Sequence, residues 1–424
     1  MAEHKKKIVQ NFISLSFVQG LSILFPLITF PYLLRVLGVE NFGVFTLIQT
    51  LIMYFDLLVS FGFGLTGTKY ITQNIQDIEK TREVITAVYT IKLLLFAATV
   101  ICFLTCCLFI PYLRQNFLLL LISFMYLLGN LLLPDWYFQG IQKMRNIAVI
   151  AFVSKFVGLL LIILIVKNST DIDYALLSIS SGNFVAGLIG FLILRRSVSL
   201  KIAIPPKKFI VTLFKESGSV FTVTILAPLY TSINLFILQA FTNPLMVGYY
   251  AVAEKIFSAI SMLTSIASRT VYPHLAQLYA TSVKTYKDHV QKILVLFLAT
   301  FTVISIIQFF GADYIVRLIS GKKNTEDIAY AVAILKIMSI GQFFSPYVPF
   351  CFQLMIIQGQ NKEAIRNIGT GVIINLLSAC TFAYYYSGKG LAVNLSIIVF
   401  IIALLNFISF NKKLKPLLIN NSAI

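Results

Sequence analysis

Long apolar segments recur along the whole chain, and most charged residues lie between them. Six segments contain no Asp, Glu, Lys or Arg over 20 to 22 residues: 93–113, 115–134, 174–194, 293–312, 367–388 and 390–411. A helix of about 20 residues crosses the roughly 30 Å hydrocarbon layer of a bilayer. The alternation of apolar and polar residues that is typical of outer-membrane barrel strands is missing from these segments. The pattern therefore predicts transmembrane helices.

Extended over the chain, the same pattern predicts an all-α integral membrane protein with about twelve spans and short connections. The predicted spans are 9–34, 42–66, 84–110, 115–138, 147–167, 174–194, 216–242, 249–272, 292–311, 328–357, 366–387 and 391–411. The apolar stretch 8–34 follows three lysines, as in a signal peptide. It is too long for one and lacks a small-residue cleavage site, so we expect it to remain as the first span.

Composition and charge support a membrane protein and predict its orientation. The chain is 58% hydrophobic and 12% charged, about half the charged fraction of soluble proteins. Of the 34 Lys and Arg residues, 22 lie on the side of the N-terminus and seven on the other side. The positive-inside rule then predicts a multi-pass protein with both termini in the cytoplasm. The net charge of +18 is spread over all inward loops, so nucleic-acid binding is not predicted.

Two pairs of similar segments indicate an internal duplication. The string QGIQKMRNI begins at Gln139 after the fourth span, and QGQNKEAIRNI begins at Gln358 after the tenth. A second, less similar pair of segments begins at Gly43 and Gly248, near the starts of the second and eighth spans and 205 residues apart. Six spans separate the copies, so both halves have the same orientation and form a parallel repeat.

The duplication predicts two six-helix lobes. The N-terminal lobe covers 1–200, a basic cytoplasmic linker covers 201–215, and the C-terminal lobe covers 216–424.

Seven ionisable residues lie well inside the predicted spans. They are the cations Lys92, Lys155, Lys255, Arg269 and Lys336 and the acids Asp56 and Glu254. A charge at the centre of a lipid-facing helix costs roughly 2.5–3.5 kcal/mol, so most of these side chains are expected to face protein or water. The surplus of three cations predicts a central cationic cavity for an anionic passenger such as a phosphate or pyrophosphate group. Structural ion pairs remain the alternative for each residue, and Arg269 lies close enough to the boundary to snorkel.

Other residues are candidates for energy coupling and movement. Asp56 either pairs with Lys92 or Lys155, or exchanges a proton or sodium ion to drive transport. Glu254 is a second coupling candidate unless the adjacent Lys255 neutralises it.

Prolines bend helices and are candidate hinges. Pro26 and Pro31 lie in the first span, and Pro228 lies in the matching seventh span. They are either hinges for alternating access or static kinks.

Signatures of an enzyme are missing from the sequence. The histidines His4, His274 and His289 are separated along the sequence and lie outside the spans or at their ends, and no phosphate-binding Gly-rich motif followed by Lys-Ser/Thr occurs. We expect neither catalytic residues nor a cofactor or metal. Energy would then come from a proton or sodium gradient or from the gradient of the substrate.

Three segments carry a resemblance to a known family. LRVLGVENFG at 34–43, PDWYFQG at 134–140 and VGYY at 247–250, followed by Ala253-Glu254-Lys255, resemble segments of bacterial polysaccharide transporters. These are O-antigen flippases of the Wzx type, in the multidrug/oligosaccharidyl-lipid/polysaccharide exporter superfamily. The resemblance implies two six-helix lobes around a central cavity in the bacterial cytoplasmic (inner) membrane.

The resemblance also implies a function. Such a protein flips an undecaprenyl-pyrophosphate-linked oligosaccharide to the periplasmic leaflet, and the five cations named above would line its path. A glycan polymerase and a chain-length regulator are expected partners. A drug or cation exporter, a flippase for a lipid-linked peptidoglycan precursor and a membrane-embedded glycan polymerase are the alternatives.

Overall fold

The computed structural model describes residues 2–198, 205–321 and 328–421, and these residues form helices almost throughout. Fifteen helices follow one another in this part of the chain: α1 (Ala2–Ser60), α2 (Phe63–Gln73), α3 (Ile78–Phe109), α4 (Pro111–Gln115), α5 (Phe117–Leu132), α6 (Asp135–Gly140), α7 (Met144–Ile165), α8 (Ile172–Val198), α9 (Lys207–Thr231), α10 (Ile233–Phe241), α11 (Pro244–Thr281), α12 (Val283–Ser320), α13 (Ala329–Phe344), α14 (Tyr347–Ile357) and α15 (Asn361–Asn421). The loop cations Lys201, Lys322 and Lys323 lie outside the described residues.

Ten stretches of helix in the described residues are long and apolar enough to cross a membrane. Two of them are much longer than one crossing needs: Leu24–Gln73 has 50 residues and Asn361–Lys413 has 53. At 1.5 Å per residue, a straight helix of 50 residues would extend about 75 Å, more than twice the hydrocarbon thickness. Each of these two stretches must therefore turn back.

The first long stretch turns at Gly38. This residue has φ 75° and ψ 169°, a conformation that glycine adopts without the steric penalty of a Cβ. The rings of Phe30 and Phe42 lie 5.4 Å apart between centroids, although twelve residues of straight helix would separate them by about 18 Å. The first and second predicted spans are therefore the two arms of a helical hairpin.

The last long stretch turns at Ser387, which has φ 50° and ψ −136°. On either side of this turn, the Ser378 hydroxyl donates to Asn394 Oδ1 at 2.6 Å, whereas sixteen residues of straight helix would span about 24 Å. The ten stretches thus supply twelve apolar segments, which confirms the predicted all-α membrane fold.

The chain divides into two compact units, Met1–Ile225 and Leu226–Ile424. The division falls inside α9, downstream of the linker that the sequence predicts at 201–215. Residues 201–204 of that linker lie outside the described residues, and 207–215 belong to α9.

Small residues allow close helix packing inside the first unit. A Cβ on Gly187 of α8 would collide with the carbonyl group of Gly129 in α5, and one on Gly182 would collide with the Ser154 carbonyl in α7. Membrane helices pack through such small residues because lipid provides no hydrophobic force that drives helices together. This contact fixes the position of α5, which carries part of the site described below.

Candidate functional site

A cavity of about 220 Å³ lies inside the first unit, where two interrupted helices meet. The first interruption separates α1 from α2 at Phe61 and Gly62, and the second separates α5 from α6 at Leu133 and Pro134. The walls of the cavity are mostly apolar, with a few polar side chains among them. The lining residues are Leu57, Ser60, Gly62, Phe63, Gly64, Leu65, Lys92, Asp135, Trp136, Val220, Phe221 and Thr224.

Glycine is required at the first interruption. Gly62 has φ 81°, and a Cβ there would lie 2.7 Å from the carbonyl oxygen of Ser217 in α9. The ring of the preceding Phe61 stacks on Phe214 and Phe221 of α9, with centroids 4.7 and 5.0 Å away. The break between α1 and α2 is thus packed tightly against α9 and forms one wall of the cavity.

The second interruption follows from the chemistry of Pro134. In a continuous helix the residue at position 134 would donate its backbone N–H to the carbonyl of Asn130, but proline has no N–H. Proline also disfavours helical geometry in the residue before it, and Leu133 is extended with φ −70° and ψ 117°. The last carbonyl groups of α5 are therefore left without partners from their own helix.

Two side chains of α3 supply the missing donors. Lys92 Nζ donates to the carbonyl of Asn130 at 2.5 Å and to that of Leu133 at 3.5 Å. Tyr89 donates its hydroxyl to the Leu132 carbonyl at 2.8 Å. A cation is favoured at this place because the C-terminal end of a helix carries partial negative charge. Lys92 is only 3% exposed, and these carbonyl groups are its hydrogen-bond partners.

Two carboxylates accompany this ammonium. The Asn130 side-chain amide donates to Asp56 Oδ1, and the side chain of Ser60 also hydrogen-bonds Asp56. Asp135, the first residue of α6, lines the cavity and accepts the backbone N–H of Trp136 at 2.8 Å.

Both acids belong to the same cluster as Lys92. In the described part of the chain, however, neither carboxylate lies within ion-pair distance of it. The cluster therefore combines two acids and one base without direct pairing.

The other predicted cations have different surroundings. Lys155 on α7 is exposed and has no hydrogen bond or ion pair among the described residues, and Arg269 on α11 is also exposed. Lys336 is half-buried on α13, with Nζ 5.9 Å from the ring centroid of Phe309. Lys255 is half-buried on α11.

Glu254 is 7% exposed beside Lys255. Its Oε1 accepts the Ser258 hydroxyl at 2.8 Å. Of the seven predicted ionisable residues, the structure thus brings Asp56 and Lys92 together within one cluster.

The three candidate hinge prolines also differ. Pro26 and Pro31 lie inside α1 without ending it. Pro228 lies near the end of α9, which stops at Thr231, and the N–H of Ser232 donates to the Pro228 carbonyl at 2.9 Å. α9 thus ends three residues after Pro228, although Ser232 keeps helical dihedral angles, whereas α1 is continuous through its prolines.

The second unit contains a proline interruption in a similar place, although its backbone keeps helical dihedral angles at Ser345 and Pro346. Pro346 separates α13 from α14, and Gln342 stands four residues before it, as Asn130 stands before Pro134. The Gln342 carbonyl accepts the Ser345 hydroxyl at 3.1 Å, and Gln342 Nε2 lies 3.3 Å from Ser261 Oγ.

The partner residues match as well. Ser261 and Asp56 are 205 residues apart, the offset of the pair Gly43 and Gly248. The geometry thus supports the repeat that the sequence indicates.

Sequence reasoning missed Asn130, Tyr89 and Asp135. The available signal was the position of Asn130, four residues before a proline in the same apolar segment. A proline there predicts a freed carbonyl, and a buried lysine in a neighbouring span is a suitable donor for it.

The helical fold is that of a multi-pass membrane protein, and solved structures share it. The fold is similar to that of the lipid II flippase MurJ in an inward closed conformation, with a TM-score of 0.72 and 15% identity over 96% of this chain and 89% of that chain. A multidrug resistance MATE family transporter of the MOP superfamily, in an inward-facing conformation, gives a TM-score of 0.70 and 12% identity over 96% and 98% of the two chains.

The family follows from the sequence. Residues 8–279 match the family described as polysaccharide biosynthesis protein, and the chain belongs to this family. A protein of Shigella dysenteriae, described as a putative O-antigen transporter, is 27% identical over 396 residues, or 91% of this chain and 96% of its own length. The resemblance to polysaccharide transporters is thereby confirmed. The prediction of a transporter rather than an enzyme is confirmed as well.

Proposed function

We propose that this protein flips an undecaprenyl-pyrophosphate-linked oligosaccharide, of the O-antigen repeat-unit kind, from the cytoplasmic to the periplasmic leaflet. Movement would follow alternating access and draw on a proton or sodium gradient. The protein would lie in the bacterial cytoplasmic (inner) membrane with both termini in the cytoplasm, as its distribution of Lys and Arg predicts. A glycan polymerase and a chain-length regulator are proposed partners.

One observation carries this proposal above the others. The similarity to the Shigella dysenteriae protein described as a putative O-antigen transporter extends over more than nine tenths of both chains. A similar protein of Escherichia coli (strain K12), with the same description, is also 27% identical and covers 93% of this chain and 94% of its own length. Similarity over whole chains argues for a shared cargo class more strongly than similarity of fold does, since one fold serves many functions.

We assign recognition of the pyrophosphate to the span cations. Lys155, Arg269, Lys255 and Lys336 have no carboxylate within ion-pair distance in the described part of the chain. An ammonium or guanidinium group without a protein counter-ion is free to bind phosphate oxygens through charge-assisted hydrogen bonds. Lys92 is the fifth candidate cation, but carbonyl groups already occupy two of its three donors.

Coupling and movement are assigned to other residues. Asp56 and Glu254 are the candidates to bind the driving ion, since both are carboxylates inside spans. Pro26, Pro31 and Pro228 are the candidate hinges for the change between inward-facing and outward-facing states. Among these, Pro228 is the one that lies close to the end of its helix, which favours it as a bending point.

The test is flipping by the purified protein in vesicles. Proteoliposomes receive a fluorescent undecaprenyl-pyrophosphate oligosaccharide, and an impermeable quencher reports how much of it remains in the inner leaflet. We expect the protected fraction to fall in the presence of protein and to fall faster under an imposed ion gradient. Lys155→Ala should slow this flipping, while Lys143→Ala, at the N-terminal end of the same helix and outside the span, is the matched control.

Parallel vesicles separate the alternatives. One set contains fluorescent lipid II, and another contains a lipophilic drug cation with a pH gradient. Transport of lipid II or of the drug cation without flipping of the oligosaccharide lipid would overturn the proposal. Equal flipping by wild type and Lys155→Ala would remove Lys155 from the substrate path.

A further inference from the structure

The end of α5 shows why a lysine is buried at position 92. A helix that ends at a proline leaves carbonyl groups unpaired, and an unpaired carbonyl in an apolar interior is costly. Three of these carbonyls, those of Asn130, Leu132 and Leu133, accept hydrogen bonds from α3. The donors Tyr89 and Lys92 are three residues apart and therefore lie on the same face of α3.

Asn130 connects Lys92 to the Asp56 carboxylate. The backbone oxygen of Asn130 accepts from Lys92 Nζ, and the side-chain amide of Asn130 donates to Asp56. Asn183 of α8 also donates to the carbonyl of Tyr126 at 2.9 Å, which ties this part of α5 to α8. A loss of the Lys92 hydrogen bonds would free the end of α5, and the Asn130 amide with it.

The second unit indicates that the fold alone does not require a charged donor here. At Pro346 the corresponding carbonyl, that of Gln342, accepts the neutral hydroxyl of Ser345 at 3.1 Å and the Ser345 backbone N–H at 3.3 Å. In the first unit the donor comes from another helix, and a lysine side chain is long enough to reach two carbonyl groups from there. The carboxyl groups of Asp56 and Asp135 belong to the same cluster.

We propose that Lys92 is a positioning residue, which replaces the hydrogen bond that Pro134 removes from Asn130 and so holds the Asn130 amide against Asp56. In this role Lys92 does not bind the passenger. Its effect on transport passes through Asn130 to Asp56, and this functional part rests on the coupling role proposed above for Asp56. The structural part does not depend on the cargo.

A double-mutant cycle between Lys92 and Pro134 tests the proposal. Lys92→Met keeps the length of the side chain and removes its donors, while Pro134→Ala returns a backbone N–H that can serve the Asn130 carbonyl. We expect Lys92→Met to lower the melting temperature of the purified protein by about 2–4 °C. In the Pro134→Ala background the same change should lower it by less than half as much. Lys155→Met is the control, and its effect should be equal in both backgrounds.

Flipping in vesicles provides the second readout. Lys92→Met should slow gradient-driven flipping about fivefold or more, as expected for an unpaired buried carbonyl, and Pro134→Ala should restore part of that rate. Lys92→Arg, which keeps the charge and the donors, should retain more activity than Lys92→Met.

The outcomes separate this proposal from the proposed function. Equal melting losses from Lys92→Met in both backgrounds would overturn the positioning role, even if the protein flips the oligosaccharide. Suppose that Lys92→Met lowers the melting temperature less in the Pro134→Ala background, but the wild type does not flip the oligosaccharide lipid. The positioning role would then stand, and the proposed cargo would be overturned. If the melting temperatures show this dependence but the double variant does not recover flipping, Lys92 would instead be a residue that binds the passenger, and its positioning role in transport would be overturned.

Discussion

The interruptions at Pro134 and Pro346 each lack one backbone donor, but their geometry and their replacement donors differ. Leu133 is extended, whereas Ser345 and Pro346 keep helical dihedral angles. Each proline removes the donor for the carbonyl four residues earlier, on Asn130 or Gln342. In the first unit Lys92 supplies the donor, and the Asn130 amide binds the carboxylate of Asp56. In the second unit the donor is Ser345, and the Gln342 amide lies near the hydroxyl of Ser261. Charged groups thus surround the first break and neutral groups the second.

A second polar cluster in the C-terminal unit is also neutral. Asn375 donates to Asn234 Oδ1 at 3.1 Å, and Asn394 donates to Asn375 Oδ1 at 2.8 Å. All three side chains are at most 1% exposed. Helices of this fold are therefore held together through buried amides without ionised groups. The comparison indicates that the charges in the first unit have a purpose other than the stability of the fold.

The largest expected effect concerns the two amides. Asn130→Leu removes the donor to a carboxylate and should destabilise the protein by about 2–3 kcal/mol, whereas Gln342→Met removes hydrogen bonds between neutral groups and should cost about 1 kcal/mol. Thermal unfolding of the purified variants in one detergent measures both. Equal losses would contradict the difference between the units.

A smaller effect is expected at the neutral break itself. Ser345→Ala leaves the Gln342 carbonyl without the hydroxyl and should cost about 1 kcal/mol, because the bond joins neutral groups in one turn. Flipping in vesicles should remain at the wild-type rate, since no charged group is disturbed. A rate as low as that of Lys92→Met would show that the second break takes part in transport as much as the first.

The membrane fold was predictable because hydrocarbon leaves few choices. Apolar segments of 20 to 22 residues must be helices, and the predicted connections at 35–41 and 388–390 contain or adjoin the turns at Gly38 and Ser387. Short strings at Gln139 and Gln358 were enough to indicate the repeat, which the Asp56 and Ser261 pair now supports.

The environment of each ionisable residue was not predictable to the same extent. Lys92 and Lys155 were predicted at similar depth in the third and fifth spans, yet Lys92 is buried and Lys155 is exposed. Hydropathy locates a residue along the membrane normal, but the direction in which it points depends on packing. That direction was set by features such as the contact between Gly129 and Gly187 and the break at Pro134.

The most direct test of the functional meaning of these charges is Asp56→Ser, which gives the first unit the residue that the second unit has at the matching position. A serine can still accept the Asn130 amide, so the melting temperature should change by no more than about 4 °C. Gradient-driven flipping of the oligosaccharide lipid should be lost, because the carboxylate that we propose binds the driving ion is removed while the hydrogen bond to Asn130 is kept. Flipping at an undiminished rate, by a protein that melts as the wild type does, would contradict the account.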